Sequence, residues 1–222
     1  MSSNYIRNIE YLCRKHKTDQ STLADTIGID FTDLRRPTPD DLTRIADHFE
    51  ITLDHLIRIP VYRIDEIRSK NIKLFVTDVD GVLTDGGMFY TESGDEFKKF
   101  NAKDGLAIKA LQAKGIHTGI ISHGINKDLI GRRAALLDVK LVEVGTTPKL
   151  DILKAWCSQL GIELNQVAYI GDDLTDLDCI KAVGLSACPA DAVDAIKRHA
   201  LVVTRRNGGD GCVRELLDDY LL

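Results

Sequence analysis

The sequence predicts an α/β protein: a parallel sheet covered by helices on both faces, a small β-hairpin flap, and a small all-α domain ahead of them. Three observations predict it. From residue 71 onward, short apolar runs alternate with segments of helical periodicity, the pattern of a parallel sheet with crossover helices. One insert, residues 86–100, interrupts that alternation with two short β-type runs around Ser93-Gly94, a hairpin signal. Residues 1–60 show helical periodicity and no strand signal.

In chain order, the N-terminal segment reads as short helices. Their apolar positions are Ile6, Ile9 and Leu12; Leu23, Ala24 and Ile27; Leu42, Ile45, Ala46 and Phe49; and Leu53 and Leu56. Residues 61–70 read as a linker, and 71–222 as the larger domain. Its strands are expected at 72–77, 116–121, 139–144, 167–171, 184–187 and 201–204. Helices are expected at 104–114, 126–137, 148–160, 174–182, 191–199 and 211–220. For the helix starting near 148, Thr147 reads as the N-cap and Pro148 as the first helical residue. The hairpin follows closely on the first strand. It would overhang that strand's carboxyl end, which is where open parallel sheets bind ligands.

Composition narrows the function classes. With 44% hydrophobic and 28% charged residues, the 222-residue chain reads as an ordinary soluble globular protein. A net charge of −5 gives no electrostatic footprint for nucleic acid or an anionic membrane. Five cysteines with no CxxC pair argue against a disulfide framework or a zinc site and fit a reducing compartment. The N-terminus is polar and no apolar run reaches the length of a membrane span, so the cytoplasm is the expected location.

The chemistry gathers at the expected strand ends. Asp78-Val79-Asp80-Gly81 closes the apolar run Ile72–Thr77. Two carboxylates one residue apart in a nearly buried place repel each other unless a cation lies between them or one is protonated. A solvated acidic loop is the competing reading. Ser122 closes the next strand, where a hydroxyl can donate to an anion or merely cap a turn. Lys149 falls in the first turn of a helix, where the dipole disfavours a cation unless the ammonium leans on an anion. Gly171-Asp172-Asp173-Leu174-Thr175-Asp176 follows a fourth apolar run and gathers oxygen ligands of the kind Mg²⁺ takes.

Together these groups describe phosphoryl transfer. Asp78 is the expected nucleophile, attacking phosphorus to form an aspartyl-phosphate. Mg²⁺ held by Asp78 and Asp172 offsets the repulsion between the carboxylate and the phosphate. Asp173 and Asp176 are expected just behind the metal. Ser122 and Lys149 hold the transferring oxygens. Asp80 protonates the leaving alcohol and then deprotonates the attacking water.

The order of these motifs (Asp78–Leu83, Ser122, Lys149, Gly171–Asp176) resembles the haloacid dehalogenase-like phosphatase superfamily, with its Rossmann-like core. The stretch DVDGVLTDG at 78–86, the hairpin, Phe100–Gly105 and Asn207–Glu215 resemble its branch without a large cap domain. That branch hydrolyses 3-deoxy-sugar-acid phosphates: 3-deoxy-D-manno-octulosonate 8-phosphate of lipopolysaccharide biosynthesis, or nine-carbon 9-phosphates of the sialic acid type. The resemblance covers residues 70–222. It implies that Asp80 also binds Mg²⁺ through its backbone carbonyl, that the enzyme is a homotetramer, and that the hairpin helps close a neighbour's site. Expected substrate contacts are Asp104, His123 and Arg132, or Arg133 beside it. The sequence departs from the octulosonate pattern after the motif serine, where His123-Gly124 stands in place of Gly-Arg.

Residues 1–57 resemble a Cro/repressor-type helix-turn-helix, through Gln20–Ile29 and Pro39–Leu56. The stretch between Gly28 and Pro39 is short for a recognition helix and carries Asp30 and Asp33 where basic or amide side chains are wanted. Residues 1–60 hold eight Lys/Arg against ten Asp/Glu, the opposite of a DNA reader. An assembly role is therefore expected over DNA binding. The reading from another class is a DNA-binding regulator with a phosphorylatable sensor domain. It conflicts with the nucleophile lying on the first strand of the α/β domain and with the second acidic cluster. A catalytically dead scaffold conflicts with the complete set of catalytic groups.

Overall fold

The structure, a computed structural model, describes residues 3–222, and the chain divides into two units between Ser69 and Lys70. The first unit holds α1 (Ser3–Lys15), α2 (Gln20–Ile27), α3 (Pro39–His48), α4 (Leu53–Ile57) and α5 (Val61–Ser69). Its described residues include no strand. Tyr5, Ile9, Leu12, Leu23, Leu34, Ile45 and Leu56 form its core. The caps are legible locally. Asp19 accepts from the Thr22 amide, Gly28 closes α2 at φ 68°, and Thr38 with Asp41 makes a capping box ahead of Pro39. Buried Asn8 donates to the carbonyls of His55, Leu56 and Ile59 and accepts from the Val61 amide, clasping the corner between α4 and α5.

One feature departs from expectation, and a second bears on the helix-turn-helix resemblance. The segment expected as a linker is helical over Val61–Ser69, because Val61, Ile64 and Ile67 supply a buried stripe at helical spacing. Between Gly28 and Pro39 stands one 3₁₀ turn, Asp33–Arg35, pinned by buried Leu34.

The second unit is built on a six-stranded sheet. Its elements are β1 (Leu74–Thr77), the hairpin β2 (Phe89–Tyr90) and β3 (Glu96–Phe97), α6 (Ala102–Ala113), β4 (His117–Ser122), α7 (Lys127–Leu136), β5 (Leu141–Val144) and α8 (Lys149–Leu160). They continue with β6 (Val167–Ile170), α9 (Leu177–Ala182), β7 (Leu185–Cys188), α10 (Asp194–Lys197), β8 (Val202–Val203) and α11 (Cys212–Tyr220). The sheet order is β5-β4-β1-β6-β7-β8, and every pairing is parallel. Leu74 and Val76 enter one core with Ile152 and Leu153 of α8 and Cys179 and Ile180 of α9. The alternating residue Phe75 is fully buried but is not part of that cluster, as the period of two in a strand requires. Elsewhere α6 packs on α11.

The chain fills β4 and β5 on one side of β1, then crosses to β6 on the other. The carboxyl ends of β4, β1 and β6 therefore share one switch point, the crevice where such sheets bind ligands. Element ends differ from expectation in small ways. The expected strand 139–144 pairs only over Leu141–Val144, and the helix expected at 191–199 is one turn, Asp194–Lys197. The helix expected at 174–182 begins as a 3₁₀ turn, Leu174–Asp176, because Asp173 and Asp176 form a capping box there. The N-cap of α8 is Pro148 rather than Thr147, and it makes no side-chain cap bond.

The glycine-rich segment before α11 packs on the loop that follows β1. The Gly209 amide donates to the Val82 carbonyl at 2.9 Å, and Cys212 Sγ donates to the same carbonyl. A Cβ on Gly208 would lie 2.0 Å from the Gly81 carbonyl oxygen, so only glycine fits that approach.

Candidate active site

Asp78 leaves β1 with its amide donating to the Ile170 carbonyl of β6, which fixes it at the sheet's centre. Its carboxylate is buried. Oδ1 accepts from the Val79 amide at 2.6 Å, and Oδ2 pairs with Lys149 Nζ at 2.9 Å. Burial, and then the charge of Asp176, push the Asp78 carboxyl up to about 8, against the pull of Lys149.

Lys149 opens α8 with its side chain 1% exposed. Its ammonium bridges Asp78 and Asp176, the latter at 2.7 Å. Burial pulls this lysine down, but the two carboxylates outweigh it and hold it above its ordinary value. The unfavourable position at a helix start is thus resolved by two anions.

Asp176 is saturated. Its Oδ1 accepts from Lys149 and from the Tyr169 hydroxyl at 2.5 Å; its Oδ2 accepts from the amides of Asp172 at 3.0 Å and Asp173 at 3.2 Å. It therefore holds the site's frame. Asp172 is different. Its Oδ1 is buried without a partner, and burial together with Asp176 pushes its carboxyl up to about 7. Gly81, at φ 80°, makes room for it: a Cβ there would lie 2.1 Å from Asp172 Oδ2.

Oxygens of Asp78, Asp172 and Asp176 all lie within 4.8 Å of one another. The orphaned Asp172 oxygen, beside a buried carboxylate whose charged form is disfavoured, fits a hard divalent cation. Because four donors already occupy Asp176, Asp78 and Asp172 are the side chains open to it.

Asp78, Lys149 and Asp172 line a cavity of about 330 Å³, together with Asp80, Ser122, His123, Asp173 and, from the hairpin, Met88. Ser122 ends β4 and accepts from the Gly124 amide at 3.0 Å. His123 Nε2 sits 3.1 Å from the Thr147 carbonyl, tying the loop after β4 to the loop before α8. Asp80 Oδ1 pairs with Lys98 Nζ at 2.6 Å.

Two expected contacts lie elsewhere. Asp104 is fully buried and its Oδ1 accepts from the Arg214 amide at 2.7 Å, so it serves the first turn of α11. Burial pushes it up to about 6. Arg132 lines a separate cavity of about 710 Å³ with Phe97, Phe100 and Asn126. Arg133 stacks its guanidinium on Phe100 at 5.1 Å and donates to the Asn101 carbonyl. Sequence reasoning missed Lys98 and Tyr169. A tyrosine inside the buried run before Gly171 was the available signal for the second, since a buried hydroxyl demands a partner.

A parallel sheet with carboxylates, a hydroxyl and a lysine gathered at one switch point is the frame of a haloacid dehalogenase-like hydrolase. Residues 142–216 match the model of that family, and the chain belongs to it. Within the family it is similar to the 3-deoxy-D-manno-octulosonate 8-phosphate phosphatase of Haemophilus influenzae, 40% identical over 154 residues, 69% of this chain and 85% of that one. It is also similar to the solved structure of a probable phosphatase from Pseudomonas syringae (42% identity, TM-score 0.68, 71% of this chain and 89% of that one). A third relative is the 3-deoxy-D-manno-octulosonate 8-phosphate phosphatase of Moraxella catarrhalis, solved with a magnesium ion, a phosphate ion and a KDO molecule (36% identity, TM-score 0.67, 70% of this chain and 92% of that one).

Proposed function

We propose that this chain is a Mg²⁺-dependent phosphatase that hydrolyses 3-deoxy-D-manno-octulosonate 8-phosphate through an aspartyl-phosphate on Asp78. The carrying observation is the Asp78–Lys149–Asp176 bridge set beside the orphaned Asp172 oxygen. The relatives named above support the substrate. Asp78, Asp172 and, by family resemblance, the Asp80 carbonyl are the groups that would hold Mg²⁺. When bound, the ion supplies charge neutralisation between the nucleophile and the phosphate.

The protein's own groups do the rest. Asp78 attacks phosphorus as the ester bond breaks, and Asp80 gives a proton to the departing alcohol. Asp80 then takes a proton from the water that attacks the aspartyl-phosphate, releasing inorganic phosphate and restoring Asp78. Ser122 Oγ and Lys149 Nζ hold the phosphoryl oxygens, and the Asp176 frame holds Lys149. His123 and Gly124 favour a second substrate reading, a nine-carbon sugar-acid 9-phosphate, because they replace the octulosonate pattern on the cavity wall. A turnover screen over sugar phosphates with Mg²⁺ tests both. The highest kcat/KM is expected for the octulosonate 8-phosphate. A higher value for a nine-carbon 9-phosphate would replace the substrate, and no turnover of either class would overturn the function.

Metal binding carries a pH signature. In the metal-free protein Asp78 is pushed up to about 8 and Asp172 to about 7, far above their unfolded values. The folded state then binds more protons than the unfolded state between roughly pH 4 and 8, so metal-free stability falls as pH rises through that window. A divalent cation must displace those protons. Mg²⁺ is therefore expected to raise the melting temperature more at about pH 8.5 than at about pH 6. Thermal melts with and without Mg²⁺ at both pH values check this.

The first unit serves assembly rather than DNA reading in this proposal. Its support is the single 3₁₀ turn where a recognition helix would lie, together with its acidic balance. The homotetramer, with the hairpin closing a neighbour's site, is supported by the hairpin's exposed Met88, Phe89, Tyr90 and Phe97. The cytoplasm is supported by five cysteines, all unpaired. Among the described residues, no helix is long and apolar enough to cross a membrane.

A further inference from the structure

Lys98 lies just after β3, the second strand of the hairpin, and its side chain is 2% exposed. Its ammonium contacts two carboxylates, Glu96 Oε1 at 2.8 Å and Asp80 Oδ1 at 2.6 Å. Glu96 is two residues away on the same strand edge, so the hairpin already supplies this lysine with a counter-charge. A lysine needed only to fold the hairpin would be satisfied there. The contact with Asp80 is what the pair adds to the site.

Asp80 is held on one oxygen. Lys98 Nζ sits on Oδ1, and the Thr84 hydroxyl approaches the same atom at 3.5 Å. The other oxygen faces the cavity wall: a Cβ built on Gly124 would lie 3.5 Å from Asp80 Oδ2 and 3.1 Å from Ser122 Oγ. Gly124 leaves that wall open beside the hydroxyl expected to hold the phosphate. With Oδ1 committed to an ammonium, which only donates, a proton on the carboxyl belongs on Oδ2.

We propose that Lys98 is a positioning residue of the phosphatase, one that occupies Asp80 Oδ1 and so presents Oδ2 to the leaving oxygen. The proposal rests on Asp80 acting as the acid. The step is balanced: an oxygen of Asp78 bonds to phosphorus, the ester P–O bond breaks with its electrons passing to the alcohol oxygen, and that oxygen takes the Oδ2 proton. Lys98 neither gains nor loses a proton. The hairpin's own ammonium thus sets the geometry of the acid within the same chain.

The test uses the demand of the leaving group for a proton. An alkoxide departs only with one, whereas p-nitrophenolate departs without. The parameter is kcat/KM, which reports events through departure of the leaving group and is blind to later hydrolysis of the aspartyl-phosphate. The readout is the ratio of kcat/KM on the sugar-acid phosphate to that on p-nitrophenyl phosphate, in the full-length protein with Mg²⁺. Lys98→Met is expected to lower that ratio at least about tenfold, within the range general acid catalysis supplies. An equal fall on both substrates, the mark of a merely structural lysine, overturns the proposal, as does no fall on either. If thermal melts show that Lys98→Met does not fold, Lys98→Gln is read instead, with the same tenfold fall required. Asp80→Asn separates the two levels: an unchanged ratio there sinks the acid assignment itself, whereas a lowered ratio there with an unchanged ratio in the Lys98 variant sinks only the positioning role.

Discussion

Asp78→Asn is expected to abolish turnover, by on the order of 10⁴-fold or more in kcat, while the protein still folds. The amide keeps the shape of the side chain but has no anionic oxygen to attack phosphorus. The fold survives because the charge it removes is one that burial opposes: the Asp78 carboxyl is pushed up to about 8 in its site. The Val79 amide keeps an acceptor, and Lys149 keeps Asp176. Phosphate release and thermal melts on the same sample check both halves. A variant retaining full activity would remove Asp78 from the mechanism.

Lys149→Met is expected to damage activity and stability together. The ammonium is the counter-charge for two buried carboxylates, at 2.9 and 2.7 Å. Removing one partner of a buried ion pair costs about 3–5 kcal/mol because the charge left behind stays uncompensated. The cost has a direction in pH. Without Lys149 the buried Asp78 carboxyl loses the counter-charge that pulls it down and holds its proton more tightly, which is easy at low pH and hard at high pH. The destabilisation should therefore be larger at about pH 8 than at about pH 5, as read from urea unfolding midpoints. Loss of the phosphate contact should lower kcat/KM by roughly 10²–10³-fold. Equal destabilisation at both pH values would show that the lysine contributes packing rather than charge.

The two substitutions also show why much of this site was readable in the chain. Asp78, Ser122, Lys149 and Asp172 are far apart in sequence, yet each follows a strand. Strand–helix alternation implies a parallel sheet, and a parallel sheet sends every strand's carboxyl end to the same rim. Local composition therefore carried three-dimensional information. It failed where the partner is chosen by tertiary packing. Asp104 is expected as a substrate contact by resemblance alone, and nothing local shows that its Oδ1 meets the first turn of α11, where packing on α6 delivers an acceptor. Lys98 reads locally as one of two adjacent hairpin lysines; only the folded chain brings one of them to Asp80. Residues 61–70 read as a linker, although Val61, Ile64 and Ile67 are buried at helical spacing.

The bracing of the nucleophile loop by the glycine-rich segment has a consequence for how the enzyme comes into being. Val82 and Cys212 are partners separated by 130 residues, and Gly208 closes on Gly81 beside them. A ribosome makes the nucleophile early and its brace among the last residues of the domain. Every partial product therefore carries a loop with nothing behind it. A chain that stops before Gly208 lacks the contacts that hold residues 81–85 in place.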